Sequence, residues 1–189
     1  YQESWLVRAQ RVETWDELEA DIFKTEYESP DGFSASVRLM LLDSGYRADE
    51  VYEFARRFRD RCRPTKGATK LSGAPYVVSK VDRNPRTGQL IPEGLSLFRL
   101  DTTYFKDKLA RFINASKEDR GQWHIFKDVS EQYVKQMCSE HKVIIRNKRK
   151  AQAWEEWHLK GSGTPNHFWD CEVLNVAAAD MMRINTLKP

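Results

Sequence analysis

Two aspartates, Asp43 and Asp170, have no obvious structural role in the sequence. Asp43 closes the apolar run "VRLMLLD", and Asp170 lies in "NHFWDCEVLNVAAADMM" near the end of the chain. An ionised carboxylate among apolar side chains is costly unless it is paired, hydrogen-bonded or bound to a metal. If the two acids converge on one point, they form a hard oxygen site suited to Mg²⁺ or Mn²⁺.

The phase of the last helix makes Asp170 unusual. A helix that begins near Asn166 turns by about 100° per residue. This phase predicts one face with Asp170, Val173, Leu174, Ala177 and Met181, and an opposite face with Glu172, Asn175 and Ala179. The alternative for Asp170 is a structural role, either as an acid in the first helical turn or as the partner of an arginine.

Asp43 is predicted to end a strand, where functional groups collect in open α/β sheets. Its alternative is also structural, because an aspartate before Ser-Gly often caps a turn or the next helix. Asp49 is better placed to cap that helix. We therefore expect Asp43 to be available for chemistry.

Three neighbouring residues are candidates to support these acids. Ser44 gives the strand a tight exit, His167 precedes Asp170 by about one helical turn, and Lys66 in "PTKG" could reach a phosphate. The alternatives are a packed ring for His167 and a solvated side chain for Lys66.

Basic residues form local clusters that could follow a phosphate backbone. The candidates for DNA binding are Arg56, Arg57, Lys66, Arg83, Arg86, Arg146, Lys148 and Arg149. Arginines at a helix C-terminus also complement the helix dipole, and a basic turn is often only a soluble hairpin tip.

Composition and the absence of certain motifs argue against several classes of protein. The 189 residues are 40% hydrophobic, so an ordinary core is expected, and the net charge is only +3. Three dispersed cysteines make no zinc spacing and favour a reduced protein. No run is long enough for a membrane span. No phosphate-binding loop, nucleophile elbow or dinucleotide fingerprint is present.

The order of elements predicts an α/β fold. An apolar strand leads into a helix with Val51, Phe54, Ala55 and Phe58 on one face. Two further apolar segments flank the turn-rich stretch 82–93 and predict a β-hairpin insertion with a long tip. Mixed strands and helices around one sheet indicate this class, with 1–189 as a single domain.

Five segments in order resemble the nuclease domain of tailed-phage large terminases of the lambda-type GpA group. They are "LLDSGYRADEVYEFARRF", "PTKG", "LFRLDTTYFKDKLARFI", "WHIFKDVSEQYVKQMCSEH" and "NHFWDCEVLNVAAADMM". The resemblance covers nearly the whole chain, and its specificity comes from the order of the segments.

This resemblance implies a ribonuclease H-like fold that cuts double-stranded DNA during genome packaging. It implies catalysis with two divalent ions, Mg²⁺ or Mn²⁺, of which one orients a water and the other stabilises the leaving 3′ oxygen. Asp43 would match the second acid of the family and Asp170 the last. The implied partners are DNA, the terminase small subunit and the portal, with no membrane, in the host cytoplasm.

The chain departs from the family pattern at its start. The family's first acid lies in an Asp-x-Gln segment, whereas "YQESWLVRAQRV" has no aspartate and Glu3 is poorly placed. We therefore expect the first strand and an ATPase domain to lie upstream of this sequence. Two other functions stay open: a non-catalytic module that binds DNA or docks on the portal, and another ribonuclease H-like nuclease such as a junction resolvase.

Overall fold

The structure, a computed structural model, describes residues 3–28, 31–71, 73–119, 121–147 and 152–186. The chain divides into two compact units. The first, which we call the sheet unit, is residues 10–101. The second, which we call the helical unit, is residues 1–9 together with 102–189.

The sheet unit is built on a four-stranded mixed sheet. Its strands are β4 (Met40–Asp43), β5 (Cys62–Ala68), β6 (Tyr76–Arg83) and β7 (Leu90–Asp101), in the order β4-β5-β7-β6. β4, β5 and β7 are parallel, whereas β6 pairs antiparallel with β7. The predicted hairpin is therefore present as β6 and β7, but its tip is shorter than the predicted stretch 82–93, because β6 extends to Arg83 and β7 begins at Leu90.

Helices cover one face of this sheet. α1 (Trp15–Glu19) continues into a π-helical turn (Ala20–Lys24), and α2 (Ala48–Arg57) follows β4. The apolar spacing that predicted α2 is confirmed, because Val51, Phe54 and Ala55 are buried. They form the core with side chains of β5 and β7, among them Cys62, Leu95 and Leu97. β2 (Tyr27–Glu28) and β3 (Ser34–Ala35) make a separate small pair.

The helical unit contains three helices and two strand pairs. The helices are α3 (Thr102–Ile113), α4 (Glu131–Met137) and α5 (His167–Met181), followed by a 3₁₀ turn (Ile184–Thr186). α3 and α4 both pack against α5. β1 (Ser4–Trp5) pairs parallel with β8 (Trp123–His124), and β9 (Glu140–Asn147) pairs antiparallel with β10 (Gln152–Leu159).

The predicted α/β class is thus confirmed as a mixed sheet with five α-helices in the described ranges. Among those helices, none has the length and apolar character needed to cross a bilayer.

Candidate functional site

Asp43 ends β4 with its side chain exposed. The backbone N–H of Gly45 donates to Asp43 Oδ1 at 3.2 Å. A methyl group added to Gly45 would lie 3.1 Å from Asp43 Oδ2, so glycine lets the turn close tightly around the carboxylate. Within the described residues no cation pairs with this carboxylate. Asp43 is therefore a carboxylate that is oriented by its own turn and open to a ligand.

Ser44 fixes the end of the strand that carries Asp43. Its side chain is buried, and both its Oγ and its backbone N–H donate to the carbonyl oxygen of Thr65, at 2.7 and 2.8 Å. The Thr65 hydroxyl in turn donates to the Leu42 carbonyl oxygen at 3.2 Å. These bonds tie the last residues of β4 to β5, and Ser44 thus positions Asp43.

Asp49 does not cap α2, so that prediction is wrong. The helix starts at Ala48, after Arg47 in a left-handed conformation (φ 52°), and the Arg47 side chain makes no capping hydrogen bond. Asp49 lies inside the helix and pairs with Arg86 at 2.8 Å. Asp43 nevertheless makes no bond to the helix, so it keeps the availability that the sequence suggested.

Lys66 follows Thr65, the register partner of Asp43, but its side chain lies on the other side of the sheet. Asp43 is in register with Thr65, whereas Lys66 is in register with Arg99. Successive side chains of a strand point to opposite faces. The exposed Lys66 side chain is therefore directed to the face opposite Asp43.

Asp101 is an acid that the sequence reasoning missed. It ends β7 after the apolar run "LFRL", the same pattern that drew attention to Asp43. It is 7% exposed, and its carboxylate accepts from the Leu71 N–H at 2.9 Å. Its register partner in β5 is Ala68, three residues beyond Thr65, or about 10 Å further along the strand. Asp101 therefore organises the loop after β5 and does not lie beside Asp43.

The described residues do not make a complete metal centre. No group of three histidine, cysteine or acidic side chains is arranged there to hold a cation. Asp43 has the right chemistry for Mg²⁺ or Mn²⁺, since these ions prefer carboxylate oxygens. It accounts for one ligand only.

Asp170 is exposed in the first turn of α5, so its predicted place on the buried stripe is wrong. The buried positions of the helix are Trp169, Glu172, Val173, Val176, Ala177 and Ala178. The true stripe begins one residue earlier than predicted, and one residue is about 100° of helix. Asp170 thus lies where an acid interacts favourably with the helix dipole, and the prediction that it shares a metal site with Asp43 stays a prediction.

Glu172 is the buried carboxyl of this helix, although the predicted phase placed it outward. It is 4% exposed, and the Tyr133 hydroxyl donates to its Oε1 at 2.8 Å. Burial raises the pKa of Glu172, and hydrogen bonds from Tyr133 and Asn175 offset part of this shift. The Trp123 indole N–H also faces the carboxyl, without normal hydrogen-bond geometry among the described residues.

His167 is exposed at the first residue of α5, and its neighbours anchor the start of the helix. The Asn166 side chain donates to Glu140 Oε1 at 2.9 Å, and Glu140 also pairs with Lys106 at 2.6 Å. The Phe168 N–H, which has no partner within the helix, donates to the buried Gln136 side chain at 2.9 Å. These bonds fix the turn that carries His167 and Asp170.

Several of the predicted DNA-binding residues are already engaged. Arg56 pairs with Glu53 at 2.9 Å, Arg57 pairs with Glu19, and Arg86 pairs with Asp49. The Arg83 guanidinium donates to the Gly88 carbonyl oxygen at 3.1 Å within the hairpin tip. Arg146 is exposed near the end of β9. Lys148 and Arg149 lie outside the described residues.

Comparison with known proteins identifies one family. The family model described as "Terminase large subunit gpA, endonuclease domain" matches residues 1–188. No protein of curated function and no solved structure matches the chain. The family match covers the same extent as the resemblance that the five sequence segments suggested.

Proposed function

We propose that this chain, which belongs to the family of terminase large subunit gpA endonuclease domains, cleaves double-stranded DNA by metal-dependent phosphodiester hydrolysis in a viral packaging motor. The family match over residues 1–188 carries the nuclease assignment. The exposed Asp43 carboxylate at the carboxyl end of β4 carries the proposed site.

The roles of the residues follow from their contacts. Asp43 provides a hard oxygen ligand, Gly45 orients that ligand through its N–H, and Ser44 locks the end of β4 to β5. Asp170 is proposed as a second acid of the reaction because it matches the last acid of the family pattern. A bound Mg²⁺ or Mn²⁺ would neutralise charge on the phosphate and make an attacking water more acidic.

The proposal also covers the fold, the number of metal ions, the partners and the location. We propose a ribonuclease H-like fold, which is supported by a mixed sheet of parallel β4, β5 and β7 with antiparallel β6, covered by helices. We also propose the two-metal form of the hydrolysis. The proposed partners are the terminase small subunit and the portal, and the proposed location is the host cytoplasm.

Plasmid nicking tests the proposal. Supercoiled plasmid is incubated with the protein in Mg²⁺, in Mn²⁺ or in EDTA, and relaxed and linear products are measured on a gel. We expect cutting only with a divalent ion. Asp43→Asn and Asp170→Asn should each lower the rate by at least about 100-fold, because each removes a charged group from the reacting centre. Asp43→Asn should keep the wild-type thermal midpoint, and Asp170→Asn should lower it only slightly, because it removes a favourable interaction with the helix dipole.

Matched controls are available in both units. Asp60→Asn and Asp128→Asn remove exposed carboxylates elsewhere and should cut like wild type. Full activity in Asp43→Asn would overturn the site. DNA binding without cutting in any divalent ion would instead favour a non-catalytic binding module.

A further inference from the structure

A basic cleft lies on the sheet of the sheet unit. It has a volume of about 210 Å³ and is open to solvent. Its charged lining consists of Arg59, Arg63, Lys80 and Glu93, and the ring of Phe98 forms part of its wall. Arg59 and Arg63 belong to the basic segment "ARRFRDRCR" of the sequence, whereas Lys80 lies far from it in the chain and is brought to the same cleft by the fold.

The strand register places this cleft on the same sheet face as Asp43. Asp43 is in register with Thr65, and Thr65 with Phe98. Arg63 is two residues before Thr65, so both side chains point to the face that carries Asp43. Phe98 and Ser96 alternate in the same way on β7, and Lys80 is the register partner of Ser96.

The distances follow from strand geometry. Arg63 is one strand away from Asp43 and two residues back, which separates their Cα atoms by about 8 Å. Lys80 lies three strands from β4, about 14 Å across the sheet. A duplex carries roughly one negative charge per 1.7 Å of its axis. The span from Asp43 to Lys80 is therefore long enough to meet several phosphates.

The cations of the cleft differ in the contacts that their charged groups make. Arg59 pairs with Glu93 at 3.2 Å and also donates to the Pro92 carbonyl oxygen at 2.9 Å, so its charge is largely compensated. The Arg63 guanidinium lies 5.0 Å from the centre of the Phe98 ring, which holds it against the sheet. Lys80 has no ion-pair partner in the part of the chain that the structure describes.

A strained bulge positions Glu93 at the rim. Glu93 and Gly94 both have left-handed φ angles, of 65° and 67°, beside a register shift between β6 and β7. The positive φ of Gly94 favours glycine, and a methyl group there would also lie 2.6 Å from Asp82 Oδ1, which would have to move. Strain of this kind persists where the surrounding structure enforces it, often at functional sites. It directs the Glu93 carboxylate toward Arg59.

We infer that this cleft binds the phosphate backbone of DNA beside Asp43, with Arg63 and Lys80 as the contacting cations and Glu93 as a restraint on Arg59. The inference rests on the proposed nuclease function, since DNA is the substrate. It assigns DNA binding to residues that lie on the same side of the sheet as the acid.

Equilibrium binding of a fluorescent 20-base-pair duplex, followed by anisotropy in EDTA between 50 and 200 mM salt, tests this inference. The slope of log K against log salt is negative, and each lost phosphate contact should reduce its magnitude by about 0.9. Lys80→Ala should reduce the magnitude by about 1, and Arg63→Gln combined with Lys80→Ala by about 2. Glu93→Gln should tighten binding, because it frees Arg59 and leaves the left-handed backbone unchanged.

The controls separate this inference from the nuclease proposal. Lys135→Ala removes an exposed lysine of α4 that pairs with Glu131, and it should change the slope by less than half a unit. Unaltered slopes in both cleft variants would overturn the inference even if the protein cuts DNA. Altered slopes in a protein that never cuts would support the cleft and contradict the nuclease function.

A second experiment distinguishes binding of a DNA backbone from binding of a single phosphate group. Inorganic phosphate and a 5′-mononucleotide are titrated into the protein by calorimetry. We expect no binding of either below millimolar concentration, because each offers one phosphate to a cleft with dispersed cations. A mononucleotide that binds as tightly as the duplex would overturn the assignment to a DNA backbone.

Discussion

At the scale of single residues, Asp170 and Glu172 have exchanged the roles that their spacing suggested. Glu172 is buried beside the Tyr133 hydroxyl, and Asp170 is exposed at the start of α5. Within the described residues, Glu172 has no cation within ion-pair distance. Its buried carboxyl therefore stabilises the fold best when it carries a proton.

This burial predicts a pH dependence of stability. The pKa of Glu172 is raised in the folded state, mainly by burial, so folded protein holds a proton that unfolded protein has released. The free energy of unfolding should fall as pH rises from the ordinary glutamate pKa to the raised one. Glu172→Gln can still accept from Tyr133 and should remove this fall. Urea unfolding at pH 5 and pH 8 measures it.

The matched control for this prediction is Glu131→Gln. Glu131 is an exposed carboxylate that pairs with Lys135 on the surface of α4. Its loss should leave the difference between pH 5 and pH 8 as in wild type. An equal pH slope in wild type and in Glu172→Gln would show that another group controls the dependence.

At the scale of elements, the turn after β4 decides where the proposed catalytic carboxylate lies. Ser44 anchors the turn from within, whereas Gly45 permits the close approach of its Cα to Asp43. Gly45 is not left-handed, so alanine meets no backbone strain there. The atoms closest to an added methyl group all belong to the exposed Asp43 side chain.

Gly45→Ala should therefore separate activity from stability. The added methyl group would lie 3.1 Å from Asp43 Oδ2 and displace the carboxylate by a few tenths of an ångström or more. We expect the free energy of unfolding to change by less than about 0.5 kcal/mol, as for a surface substitution. Nicking should fall by about tenfold or more, because small misplacements of a reacting group are costly. Wild-type nicking in Gly45→Ala would argue against Asp43 as a ligand.

The sequence predicted elements well and helix phase less well. Apolar periodicity located α2, whose buried residues recur at helical spacing, and the turn-rich stretch between two apolar segments located the β6–β7 hairpin. Periodicity failed at α5, where nine of the twelve residues from Phe168 to Ala179 are apolar and the period carries little information. The buried face there is set by tertiary partners such as Tyr133, which lie far away in sequence.

Only part of the candidate site could be predicted from the sequence. The pattern of an apolar strand ending in an acid located Asp43 and, had it been applied again, would have located Asp101. The basic cleft was not predictable, because Arg63 and Lys80 are brought to one face by strand register. Register between distant strands is not encoded in local spacing.

At the scale of the whole molecule, the small net charge of +3 implies that DNA must be held by local groups. Many cations are neutralised by neighbours, as Arg57 is by Glu19 and Arg86 by Asp49. Such pairs offer little to a phosphate unless they break. Binding and cutting are therefore expected to depend on different residues.

Asp43→Asn tests this separation. In EDTA, where no divalent ion bridges protein and phosphate, the variant should bind duplex DNA at least as tightly as wild type, because it removes one negative charge near the backbone. The change should be small and should shrink as salt rises from 50 to 200 mM. Nicking in Mg²⁺ or Mn²⁺ should be lost in the same preparation. If Asp43→Asn instead weakened binding in EDTA, the carboxylate would contribute to DNA binding, and the expected separation of binding from cutting would be wrong.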